Sequence, residues 1–183
     1  LSRMIQVRGF KHRIQSKFLD QMAIQSTEMD KLFGGRLIDD VSVIGMDTYF
    51  NSGSAVGVIL HAKDSKSLSQ NLTGKRKAFA RKNKDIGATI RDIQANDDSI
   101  QFLSTPDNRY RSFYAVSGDC HLITTSLVLA KRFLEAGRGI GSLADSDEFK
   151  FARTNMPLER DDTIFVYLST RFFQTLLSPQ YRF

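Results

Sequence analysis

The chain has 183 residues, of which 41% are hydrophobic and 25% charged, with a formal net charge of +6. This composition is ordinary for a folded globular protein and excludes a largely disordered chain. The apolar runs are far shorter than the roughly 20 residues that a membrane-spanning helix needs. Cys120 is the single cysteine, which excludes an internal disulfide and a cysteine-rich zinc site.

The first third of the chain predicts a helix followed by a β-hairpin. Residues 11–33 carry an apolar stripe at helical spacing, and Gly34-Gly35 indicates where that helix stops. The period then changes to that of strands at residues 41–50 and 54–61. The turn-forming residues 51–53 lie between these two runs, as expected for a hairpin.

A second helix is predicted from Ser65, because leucine and phenylalanine side chains recur on one of its faces. Gly74 lies in its middle, where glycine costs roughly 1 kcal/mol relative to alanine. If the helix continued unbroken, Lys75 would fall on the apolar stripe. We therefore expect a break or bend at this point.

The middle of the chain predicts four consecutive strands joined by turns. Apolar residues alternate with polar ones, and turn-forming residues such as Pro106-Asp107-Asn108 separate the runs. The predicted strands cover residues 87–94, 99–105, 109–117 and 120–125.

Two capped helices and a last strand–helix pair complete the predicted order. Ser126 begins a helix that runs to Ala136, and a short helix follows at residues 147–154. Residues 163–168 are apolar on both faces, which is typical of a central strand. Ser169 caps a final helix.

Hairpin-linked strands interrupted by helices predict an α+β fold with a mostly antiparallel sheet of about six or seven strands and helices packed on it. This domain is expected over residues 36–183, after an N-terminal helical segment over residues 1–35. We expect the chain to be a fragment of a larger protein.

No motif has both the residues and the structural context of a known catalytic or cofactor site. Gly74-Lys75 lacks the upstream glycine of a phosphate loop. The glycine-rich stretch at residues 137–141 follows a helix, whereas a dinucleotide-binding loop follows a strand. We therefore predict no catalytic residue, no cofactor and no metal ligand, which favours a protein that is not an enzyme.

The histidines and the cysteine are interpreted as structural. His12, His61 and His121 show no ligand spacing, so each is predicted to lie at the surface or at a sheet edge. Cys120 and His121 point to opposite faces of one predicted strand. Without a histidine partner, Cys120 is predicted to be a small buried hydrophobe.

Three aspartate pairs leave one enzymatic alternative open. Asp39-Asp40, Asp97-Asp98 and Asp161-Asp162 fall at predicted turns or strand starts, where aspartate bonds to its own backbone. A hydrolase would require two of these pairs to converge in space, which the sequence does not show.

The basic character of the chain is local. Between Lys63 and Arg91, nine basic residues and two acidic ones give a local charge of +7, so the rest of the chain sums to −1. Such a segment could bind phosphates of nucleic acid or anionic lipid head groups, although Phe79 is its one aromatic residue. The alternative is a solvated helix face that keeps the fragment soluble, or one that meets an acidic part of the rest of the parent chain. The predicted anion-binding residues are Lys75, Arg76, Lys77, Arg81, Lys82 and Lys84.

Residues 36–183 contain several short sequence motifs made of turn, helix-cap and strand residues. They are Asp47–Ser54, Thr105–Asp107, Arg111–Ala115, Leu122–Ser126, Ser142–Phe149, Phe165–Leu168 and Ser178–Arg182. In these motifs, the chain resembles an uncharacterised family of bacterial proteins whose exported members carry repeated α+β domains. The resemblance implies an α+β fold, bacterial origin and a location in the periplasm or cell envelope. It supplies no activity and no catalytic residue.

The leading interpretation is a non-enzymatic structural or protein-interaction domain, whose partner is the rest of the parent chain or another protein. Binding of a polyanion, either nucleic acid or an anionic membrane surface, through residues 75–84 is the first alternative. A hydrolase with carboxylates assembled from separate turns is the second.

Overall fold

The computed structural model describes residues 21–22, 37–46, 55–157, 164–170 and 172–173. Within them, six strands form one antiparallel sheet in the order β1-β2-β6-β5-β4-β3. The strands are β1 (Ile38–Gly45), β2 (Val56–Ala62), β3 (Thr89–Ala95), β4 (Asp98–Ser104), β5 (Arg111–Ser117) and β6 (Cys120–Thr124). The helices are α1 (Ser65–Lys82), α2 (Leu127–Gly137) and α3 (Asp147–Asn155). The predicted α+β fold with a mostly antiparallel sheet is confirmed.

The two faces of the sheet are covered by different helices. Because side chains alternate along a strand, neighbouring residues of β5 and β6 enter different halves of the core. The half beneath α1 contains Leu60, Leu68, Leu72, Tyr114 and Ile123. The half beneath α2 contains Phe113, Ala115, Leu122, Ala130 and Leu134.

Helix α1 is unbroken, so the predicted break at Gly74 is wrong. The helix begins at the N-cap Asp64, whose carboxylate accepts a hydrogen bond from the backbone N–H of Ser67 at 3.0 Å. Gly74 is exposed within it. The buried stripe continues through Arg76, not Lys75, and the sheet supplies polar partners for that arginine. The expected conflict between charge and burial therefore does not arise.

Tight turns and serine caps form where the sequence places them. The β5–β6 turn contains Gly118 with a positive φ of 57°, which glycine adopts without steric cost. Ser126 caps α2 by accepting a hydrogen bond from the Leu129 N–H at 3.3 Å. Ser146 caps α3 in the same way.

The predicted central strand at 163–168 is wrong for its described residues. Residues 164–169 have no strand structure, and Ile164 and Val166 are 79% and 71% exposed. The segment instead packs on α3 through aromatic contacts, such as Tyr167 with Phe149 at 5.1 Å between ring centroids. The interior positions of the sheet are already filled by β2, β6, β5 and β4, which leaves no central place for it.

Other predicted features fall wholly or partly outside the described residues. The N-terminal helix at 11–33, the hairpin turn at 51–53 and the pair Asp161-Asp162 lie there. The start of the final helix is described, and Ser169 Oγ accepts a hydrogen bond from the Phe172 N–H at 3.1 Å. Of the helices that the structure describes, none is long and apolar enough to cross a membrane.

Candidate anion-binding surface

Helix α1 carries several positive charges and no acidic residue of its own. Its 18 residues include six basic ones and no acidic one. Exposed helices gain roughly 0.2–0.5 kcal/mol from each pair of opposite charges one turn apart, and like charges cost a similar amount. Lys77 and Arg81 form such a like-charge pair. Arg81 and Lys82 complement the negative end of the helix dipole, but that effect reaches only the last turn.

Most of these cations share the outer face of the helix. At about 100° per residue, Lys77, Arg81, Lys82 and Lys75 span an arc of about 160° that faces away from the buried stripe. Lys77, Arg81 and Lys82 are exposed, and Lys75 is half-buried at the border of the stripe. Lys84, also exposed, follows in the short 3-10 turn Lys84–Ile86. We call these five residues the α1 basic face.

Arg76 points the opposite way and is only 5% exposed. Its guanidinium donates to Gln101 Oε1 at 2.8 Å, to Ser112 Oγ at 2.6 Å, and to the backbone oxygens of Gln101 and Ser112 at 3.2 and 2.9 Å. Burial lowers the pKa of Arg76 to about 10, so the group is still charged at neutral pH. Because its donors are used inside the fold, Arg76 fastens α1 to the sheet and is not part of the α1 basic face.

His121 is 0% exposed, so its predicted position at the surface or at a sheet edge is wrong. It lies on β6, an interior strand, on the face that α1 covers. Its Nε2 is 3.0 Å from Ser65 Oγ, and its Nδ1 is 2.8 Å from the Tyr114 hydroxyl. By contrast, His61 is half-exposed and lies 3.7 Å from Asp39, in agreement with its predicted surface position, and His12 lies outside the described residues.

The Ser65–His121–Tyr114 chain has the spacing of a nucleophile, a base and an orienting group. However, Ser65 Oγ donates to the Gly118 carbonyl oxygen at 3.1 Å. A neutral imidazole protonated on Nε2 is compatible with both histidine contacts, because Nε2 can then donate to Ser65 Oγ and Nδ1 can accept from the Tyr114 hydroxyl, which also lies 3.3 Å from Ser69 Oγ. Burial lowers the pKa of His121, which favours this neutral form. The chain ties the start of α1 to β5 and β6, and it leaves no base directed at the serine proton.

The described aspartate pairs do not converge. Asp39-Asp40 lies on β1 at one edge of the sheet, and Asp97-Asp98 lies at the β3–β4 turn at the other edge. Five strand spacings separate these edges, which is about 24 Å at about 4.8 Å each. Asp98 is also paired with Arg138, although it borders a pocket of about 210 Å³.

The described part of the chain contains no assembled site for metal binding or thiol chemistry. Within those residues, no group of three or more histidine, cysteine, aspartate or glutamate side chains is placed to hold a metal ion. Cys120 is half-buried, which is more exposed than the buried position predicted for it. Burial raises the pKa of its thiol and so disfavours the reactive thiolate.

The structure adds residues near α1 that the sequence pattern did not identify. The β4–β5 turn brings Tyr110 against Phe79, with 4.8 Å between ring centroids. Arg109, in the same turn, places its guanidinium 5.5 Å from the Tyr110 ring centroid. These residues are some 30 positions away from α1 in the chain, so no local spacing could have revealed them. The pairing of β4 with β5 is what brings them to the end of α1.

No protein-family model, curated protein or solved structure matches this chain. The resemblance of residues 36–183 to an exported bacterial family therefore stays a prediction, as do bacterial origin and a location in the cell envelope.

Proposed function

We propose that this protein is a non-enzymatic interaction domain that binds a phosphate-bearing polyanion through the α1 basic face. The observation that carries the proposal is an 18-residue helix without one acidic residue, in which Arg76 is the single buried cation and the other cations lie toward the outside. Phosphate polymers favour such a surface because each neutralised phosphate releases condensed counterions into solution.

The alternatives have less support from the described residues. A hydrolase would need convergent carboxylates or a free base, whereas the described aspartate pairs are far apart and His121 is held within the fold. In a purely structural domain, the like-charge pair Lys77 and Arg81 would destabilise the helix slightly, and no gain in binding would offset that loss of stability. If the resemblance to exported proteins holds, the domain meets its ligand in the cell envelope.

The test is binding of a fluorescently labelled single-stranded oligonucleotide, measured by anisotropy over a range of salt concentrations. If these five cations alone contact phosphates, log K falls with log salt at a slope of about −3.5, since each contact contributes about −0.7. Affinity then falls roughly 100-fold between about 50 and 200 mM salt.

A double variant, Lys77→Ala with Arg81→Ala, should bind more weakly and make the slope shallower by about 1.4. The matched control is Lys131→Ala with Lys150→Ala, which removes the same charge from exposed positions on α2 and α3. Absence of binding at low salt would refute the proposal. Equal weakening in both double variants would also refute it, because net charge alone would then account for binding.

A further inference from the structure

The cationic surface continues beyond α1, around one end of the sheet. This is the end where β3 begins, where β4 ends and where β5 begins. The connection from α1 to β3 touches the β4–β5 turn there, since a Cβ added to Gly87 would lie 3.0 Å from the Pro106 ring. The cations at the C-terminal end of α1 and the β4–β5 turn therefore lie at the same end of the sheet.

Three exposed arginines at this end are each placed over an aromatic ring. Arg91 lies 5.1 Å from the centroid of Phe102, Arg109 lies 5.5 Å from Tyr110, and Arg111 lies 5.7 Å from Phe113. Cation–π contact orients the guanidinium plane against the ring and reduces the freedom of a long side chain. These arginines are thus partly ordered before any ligand arrives.

At this end of the sheet, the carboxylates do not neutralise the three arginines. Asp107, in the same turn as Arg109, accepts hydrogen bonds from Thr105 Oγ1 and from the Arg109 backbone N–H. Asp85 is exposed in the 3-10 turn, near Lys84. Of the residues that the structure describes, none forms an acidic ion pair with Arg91, Arg109 or Arg111 within 4.0 Å.

The arginines and α1 lie on different faces of the sheet. Arg91 pairs across the sheet with Phe102, which pairs with Phe113, so these residues form one row on the face that α2 covers. Arg111 is on the same face, because it is two residues from Phe113 on β5. Arg109 lies in the turn between β4 and β5. A flat bilayer could meet the cations of one face only, whereas a flexible chain could pass from α1 around the end of the sheet.

We propose that Arg91, Arg109 and Arg111 extend the α1 basic face into one binding track, and that the ligand is a flexible chain of phosphodiesters. This inference rests on the proposed function and narrows its ligand. Arginine suits the role because its planar fork donates two parallel hydrogen bonds to one phosphate. Each ring is already covered by its own arginine, so the track reads phosphates and not bases.

The experiment compares three labelled or sedimentable probes at the same low salt: a single-stranded oligonucleotide, an abasic deoxyribose-phosphate chain of equal length, and phosphatidylcholine vesicles containing phosphatidylglycerol. We expect both chains to bind with equal affinity and the vesicles to bind more weakly. Tighter binding of the vesicles than of either chain would overturn the inference, and so would strong preference for the chain that carries bases.

The variant that tests the track replaces Arg91, Arg109 and Arg111 with glutamine. Loss of three phosphate contacts should weaken chain binding roughly 100-fold at about 0.1 M salt and make the salt slope shallower by about 2. The matched control replaces Lys131, Lys150 and Arg153 with glutamine, and Arg153 also lies over a ring, 4.5 Å from the Phe165 centroid. It should bind like the wild-type protein.

A triple lysine variant at the same three positions distinguishes a loss of phosphate contacts from a loss of folding. It retains the charge but not the bidentate fork, so its affinity should lie between those of the wild-type and glutamine proteins. If the Lys77→Ala, Arg81→Ala variant weakens binding while both arginine triple variants bind normally, the track is refuted and the proposed function stands. If neither phosphate chain nor vesicle binds at low salt, both are refuted.

Discussion

Replacing Arg76 tests whether a buried charge that has no acidic partner among the described residues stabilises this fold. The guanidinium makes four hydrogen bonds to neutral oxygens, and a hydrogen bond to a charged group contributes roughly 1.5–3 kcal/mol. Desolvation opposes this gain. Burial lowers the pKa of Arg76 from its usual value to about 10, which corresponds to a penalty of about 3 kcal/mol.

The balance favours a net stabilising role for Arg76. Arg76→Ala removes the four bonds and also leaves a void between α1 and the sheet, so we expect the free energy of unfolding to fall by about 3–5 kcal/mol. Arg76→Met retains much of the side-chain volume and removes the desolvation penalty. It leaves the fully buried Ser112 hydroxyl without its charged donor, so we expect a loss of about 1–3 kcal/mol.

Urea unfolding followed by far-ultraviolet circular dichroism measures these differences, and the chain contains no tryptophan to serve as a fluorescent probe. Lys77→Met on the exposed side of α1 is the matched control and should change stability by no more than about 0.5 kcal/mol. An Arg76→Met protein as stable as the wild-type protein would refute the reasoning, because the desolvation penalty would then cancel the hydrogen bonds.

Three further substitutions test particular packing and titration features. Gly74→Ala should raise the free energy of unfolding by about 0.5–1 kcal/mol, because α1 is unbroken and nothing lies within 4 Å of the added methyl group; a loss in urea unfolding would indicate a bend. Gly57→Ala should lower it by about 1–3 kcal/mol, because the methyl group would approach Leu122 Cδ1 to 2.8 Å; unchanged stability would contradict that close packing. The pKa of His121 is lowered by burial, so its neutral form stabilises the fold above about pH 6.5, and this contribution is lost as the pH falls through the lowered pKa. His121→Gln should therefore show a smaller drop in melting temperature between neutral and acidic pH than the wild-type protein, and equal drops would count against the assignment.

The fold was predictable where the determining interactions are local. Ser126 and Ser169 accept hydrogen bonds from backbone N–H groups three residues later, so their spacing alone indicates a helix start. The strands of the β3–β4 and β5–β6 hairpins likewise follow from alternation and turn residues. Strand order across the sheet depends on pairings between distant residues, and the sequence does not specify them.

The candidate surface was predictable only in part, because the orientation of a basic side chain depends on its partners in space. Lys75 and Arg76 are neighbours, and either one is close to the apolar stripe by helical phase. Arg76 is the one that is buried, because Ser112 on β5 and Gln101 on β4 provide hydrogen-bond acceptors for its guanidinium. His121 was misplaced for the same reason, since its partner Ser65 is 56 residues away in the chain.

The buried side of α1 explains how its outer face can carry several cations although the helix contains no acidic residue. Leu68 and Leu72 are fully or almost fully buried, and Arg76 adds a set of hydrogen bonds that anchors the second half of the helix to β4 and β5. Most helix stability in proteins comes from such tertiary contacts and not from surface pairs. The small cost of repulsion between Lys77 and Arg81 is therefore tolerated, and the outward residues of α1 can be set by what they bind instead of by what the helix needs to form.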